Sequence, residues 1–113
     1  MMQKPSQVVV GGLTWRVLWD DGAANDNDNF GQTAHLSLTI RIGKDYAEQK
    51  QKQTLFHEII HAIDYTYRTS KQCLSEEQVK FYGMTLYDTL RRNPEIARML
   101  LSEDTSFPSG KDT

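Results

Sequence analysis

One cysteine, Cys73, stands in the whole chain, so no internal disulfide can form and a reducing, cytoplasmic compartment is the expectation. A basic excess is also missing. The formal net charge is -2, which gives no electrostatic footprint for nucleic acid. No apolar run approaches the roughly 20 residues needed to cross a bilayer. The opening MMQKPSQVVV has neither the apolar region nor the cleavage site of a signal peptide. What remains is ordinary globular composition, 38% hydrophobic over 113 residues, enough for one small domain with one core. Residues 1–101 are expected to form that domain. The tail 102–113, SEDTSFPSGKDT, has too little apolar material to order itself and is expected to be flexible.

The amino-terminal half reads as β. Gln7 to Val10 and Leu13 to Trp19 flank Gly11-Gly12, the pattern of a hairpin with a two-residue turn, with Trp15, Val17 and Trp19 on one face. Asp21 to Asn29, DGAANDNDN, is a polar loop. Its alternating carboxylates and amides suggest calcium ligands, but it lacks the Gly and terminal Glu of an EF-hand, so a solvated turn is the simpler reading. Thr33 to Ile42, TAHLSLTIRI, alternates as one long strand. Leu36, Leu38, Ile40 and Ile42 share a face, and His35 is on the other face as a surface histidine. The expected fold is α+β, a small twisted antiparallel sheet of about three strands packed against helices.

Asp45 followed by Glu48 has the spacing of a capping box and predicts a helix starting near Tyr46. Within it, TLFHEIIHAIDYTYR carries His57, Glu58 and His61 as H-E-x-x-H. On a helix the two histidines lie one turn apart and point the same way, so one metal ion can accept a nitrogen from each. Glu58 can then reach a metal-bound water without being a ligand itself. At 100° per residue Leu55, Phe56, Ile59, Ile60, Ala62, Ile63 and Tyr67 fall on one arc, and Asp64, His57, His61, Tyr65 and Glu58 on the opposite one. The first arc is expected in the core and the second in a cleft.

Ser75 with Gln78 marks a second helix running to about Arg92, with Val79, Tyr82, Gly83, Leu86 and Leu90 as its buried stripe. Asn93-Pro94 opens a third, short helix ending near Leu101. A catalytic zinc usually has three protein ligands, and no third histidine follows the motif, so a carboxylate is required. Glu76 lies nearer the buried stripe than Glu77 and is the preferred ligand, with Glu77 the alternative. Acidic residues in a first helical turn are also favoured by the helix dipole without any metal. Cys73 is an inert thiol or a neighbour of the metal. Asp64 is a candidate for orienting a ligand histidine or a plain solvated residue, and Tyr65 a candidate hydrogen-bond donor in the cleft.

HEIIH followed by a glutamate on the next helix resembles the gluzincin zinc metallopeptidases. The run TLFHEIIHAIDYTY…LSEEQVKFYGMTLYDTL is similar to very small phage and prophage versions, related in style to ImmA/IrrE-type proteins. Asp64 and Tyr67 stand where a metzincin has Gly and a third His. The resemblance implies a minimal zincin-like domain holding one Zn2+ through His57, His61 and Glu76, with Glu58 as general base. It further implies hydrolysis of a peptide or protein substrate, in the host cell cytoplasm if the chain is phage-encoded. No nucleic-acid or membrane partner is expected. The alternative, from a different class, is a non-catalytic, zinc-stabilised binding module of phage type.

Overall fold

A computed structural model gives the fold; it describes residues 3–20, 30–68 and 74–103. The polar loop 21–29, read as a solvated turn rather than a calcium site, Cys73 and the tail from residue 104 lie outside the described residues. The elements are β1 (Gln7–Val10), β2 (Leu13–Asp20), β3 (Gly31–Ala34), β4 (Thr39–Gly43), α1 (Glu48–Tyr67), α2 (Glu76–Arg92) and α3 (Pro94–Leu101). The class is α+β, with a four-stranded sheet in the order β1-β2-β4-β3.

The first hairpin forms as its sequence implies. β1 pairs antiparallel with β2, Val10 opposite Leu13, and Gly11 turns the chain at φ 60°, a conformation that costs glycine little. A side chain at Gly11 would also run into Thr66 Cγ2 at 2.9 Å. The second half of the sheet departs from expectation. Thr33 to Ile42 is not one strand but a second hairpin, with β3 antiparallel to β4 and Ala34 opposite Thr39. Residues 35–38 turn the chain, Leu38 takes φ 49°, and Leu36 is fully exposed rather than facing the core. The turn is supported from both sides. The Leu38 carbonyl accepts from the Arg16 amide at 2.9 Å, and the Thr39 hydroxyl donates to the Ser37 carbonyl at 3.0 Å. β4 therefore sits between β3 and β2 and runs parallel to β2, Val17 opposite Ile40, which makes the sheet mixed rather than antiparallel.

Trp15, Val17, Ile40 and Ile42 are buried beside Val10 and Ala62, with Leu55 and Ile59 of α1 packed against them. Each such aliphatic side chain stabilises the fold by about 1.5–3 kcal/mol. α1 crosses this sheet, and its start differs from the Asp45 cap: the N-cap is Ala47, with no side-chain cap bond. Tyr46 is instead drawn against Phe30, ring centroids 4.7 Å apart, and Gln51 Nε2 donates to the Gly43 carbonyl at 2.9 Å. Those contacts tie the start of α1 to the end of β4. α2 opens with the capping box expected of Ser75 and Gln78, and Asn93-Pro94 opens α3. Of the stripe expected on α2, Val79 and Gly83 are buried against α1, whereas Tyr82, Leu86 and Leu90 remain exposed. No helix among the described residues is long and apolar enough to cross a membrane.

Candidate metal centre

α1 and α2 run antiparallel, and the capping box fixes where the second begins. The Ser75 hydroxyl accepts from the Gln78 amide at 3.1 Å, while Gln78 Oε1 accepts from the Ser75 amide at 2.8 Å. Glu76 is then the first helical residue, aimed across the gap at α1. Its two oxygens divide between the two motif histidines: Oε2 is 3.1 Å from His57 Nε2 and Oε1 is 3.1 Å from His61 Nε2. Gly83, one turn past Val79, faces His57, where a Cβ would sit at an ordinary contact distance of 3.6 Å. Ligand atoms of His57, His61 and Glu76 all lie within 4.8 Å of one another, and Glu77 is not among them.

The donor set fits zinc. Two imidazole nitrogens and a carboxylate are a usual ligand set of a catalytic zinc. Atoms bound to one ion at about 2.0–2.1 Å and tetrahedral angles lie roughly 3.3 Å apart, close to the two histidine–Glu76 separations of 3.1 Å.

Glu58 is buried, although the helical wheel puts it on the same open arc as the motif histidines. The difference comes from β3, which lies over α1 at this point. The Thr33 hydroxyl donates to Glu58 Oε1, and the Glu58 carbonyl is 3.3 Å from the same hydroxyl. Gly31 permits this packing, because a Cβ there would come within 2.5 Å of Thr54 Cγ2 and 3.1 Å of Glu58 Cγ. Burial pushes the Glu58 carboxyl above its ordinary value; the Thr33 hydrogen bond and the two histidines oppose that rise.

The centre opens into a cleft of about 920 Å³ lined by β3, α1 and α2, with His57, Glu58, His61 and Glu76 in its wall. His35, expected on the surface, is also in that wall and half-buried. It stacks on Tyr65, centroids 4.7 Å apart, and Trp15 meets both rings edge-on. Burial, then the charges of Arg68 and His61, hold the His35 pKa below its ordinary value. Tyr65 thus supports His35 from behind and does not line the cleft. The Asp64 carboxylate bonds the Arg68 guanidinium at 3.1 Å and the Leu74 amide at 3.0 Å, joining the end of α1 to the approach to α2. Sequence alone leaves Thr33 as an ordinary strand residue and His35 as a surface histidine, because both sit in what reads as an uninterrupted strand. Only the reversal of the chain at 35–38 brings them to the motif.

Fold and site together define an α+β domain with a candidate three-ligand metal centre on an H-E-x-x-H helix. No protein-family model matches the chain, and comparisons with curated proteins and with solved structures give no match either.

Proposed function

We propose that this chain is a zinc-dependent peptidase of gluzincin type, with His57, His61 and Glu76 as ligands and Glu58 as general base. One observation carries the reading: two imidazoles and a carboxylate converge at 3.1 Å, in the wall of a cleft that also holds the motif glutamate. When bound, zinc would polarise the scissile carbonyl and acidify a water molecule. Glu58 accepts the proton of the attacking water and passes it to the departing amine. Thr33 holds the carboxylate in place for both transfers. β3 is the edge of the sheet and borders the cleft, so an extended peptide adds to it as a further strand.

Glu58→Gln tests this reading, because it keeps the shape and removes the proton acceptor. The variant should retain zinc and fold yet lose about 10²-fold or more in turnover of peptides from an unbiased library. Equal cleavage by parent and variant would remove Glu58 from the mechanism.

A second reading is favoured by a different observation. α3 buries none of its residues, and Phe81, Met84, Ile96, Met99 and Leu100 are exposed on α2 and α3. Such an apolar surface suits a zinc-stabilised binding module. A parent that cleaves no peptide, and a Glu58→Gln variant that captures the same partner as the parent, would favour it.

A further inference from the structure

β3 and the turn after it lie alongside α1, in step with it. Lys50 Nζ is 4.0 Å from the centre of the Phe30 ring, a Cβ on Gly31 would meet Thr54, and Thr33 donates to Glu58. The next step is His35, whose ring stacks on that of Tyr65 with centroids 4.7 Å apart. On α1, His61 falls between Glu58 and Tyr65, one turn before Tyr65, so the His61 side of the centre lies between Thr33 and His35. His35, Glu58 and His61 line the same cleft.

Packing alone does not require an imidazole at this position. The wholly buried Trp15 meets the His35 ring edge-on at 6.3 Å, and the His35 carbonyl accepts from the Leu38 amide at 3.3 Å, so ring and backbone are both held. A phenyl ring would serve the same stack. What the imidazole adds is two ring nitrogens, a donor and an acceptor when neutral. Neither has a hydrogen-bond partner among the described residues, and neither is sealed from solvent. β3 is four residues long and the chain turns after Ala34, so the strand's own edge stops short of this point while the ring continues the wall.

We propose that His35 is a substrate-contacting residue, its ring N–H donating to a main-chain carbonyl of the peptide bound beside His61. This rests on the peptidase reading and deepens it, since a contact to the main chain is blind to side-chain sequence. An extended peptide carries a carbonyl at every residue, so the contact holds whichever way the peptide runs.

The test uses the full chain carrying Glu58→Gln, loaded with zinc, and two probes. Acetohydroxamate reaches the metal alone, whereas N-acetyl-trialanine hydroxamate adds a short main chain to the same group. Isothermal titration should show the second probe binding about 10-fold more weakly to the His35→Phe form of this protein, the net scale of one hydrogen bond. Zinc content and acetohydroxamate affinity should be unchanged. In isotopically labelled protein with His35 intact, the His35 ring N–H should become protected from solvent exchange when the trialanine probe binds, a change that a packing role would not produce. Unchanged affinity for the trialanine probe in His35→Phe, an equal loss for both probes, or no binding of that probe by the protein with His35 intact would overturn the contact. Cleavage of an unbiased peptide library by the parent is scored separately. A His35-dependent affinity without cleavage supports the contact and counts against the peptidase; cleavage with His35-independent affinity does the reverse.

Discussion

Glu76 and Glu77 are adjacent, equally acidic and both in the first turn of α2, yet only Glu76 meets the histidines. Glu76→Ala should therefore weaken zinc binding by at least about 10-fold, the lower scale for disturbing even an outer partner of a metal ligand. Glu77→Ala should cost only a small helix-dipole contribution; metal titration of the two variants compares them. This distinction was legible in the sequence from helical register alone. The burial of Glu58 was not, because a helical wheel carries no information about what β3 lays over it. His35 was misplaced for the same reason, and it leads to a pH prediction. Its folded-state pKa lies below the ordinary 6.5, so its contribution to stability is complete above that value. The contribution is lost as pH falls through 6.5 towards the lower folded pKa. His35→Phe keeps a ring against Tyr65 and removes the titration. Denaturant melts between about pH 7 and pH 5 should then show a shallower loss of stability than in the parent.

Gly31 and the Ser75 cap set how the elements meet, and Gly83 does not. Gly31→Ala forces a Cβ against Thr54 and Glu58 and should destabilise the fold by about 1–3 kcal/mol. Gly83→Ala meets His57 only at ordinary contact distance, and helix propensity should raise stability by roughly 0.5–1 kcal/mol with zinc binding unchanged. Ser75→Ala removes the capping box that starts α2 and should cost about 1 kcal/mol, with a measurable loss of zinc affinity because Glu76 is the next residue. Chemical denaturation with parallel metal titration checks all three. The elements most legible beforehand were those with local signals: Gly11-Gly12, Ser75 with Gln78, and Asn93-Pro94. The break in Thr33 to Ile42 had none. HLSL contains no Gly, Pro, Asn or Asp, and its alternation of leucines continues the strand pattern into the turn. The parallel pairing of β2 with β4 follows from that reversal and was out of reach for the same reason.

Across the described residues, the sheet and α1 carry the core, while α2 contributes Val79, Gly83 and Glu76, the proposed third ligand. The stability of the α1–α2 pair should then depend on the metal, since an ion bound only by the folded chain adds its binding energy to folding. The central claim is that His57, His61 and Glu76 form a metal centre. Elemental analysis of the purified full chain, alongside thermal melts with and without a chelator, tests it most directly. The account predicts about one zinc per chain, a lower melting temperature after chelation, and loss of both the zinc and the chelator effect in His61→Ala. A parent without metal after zinc supplementation, melting at the same temperature with or without chelator, would contradict it.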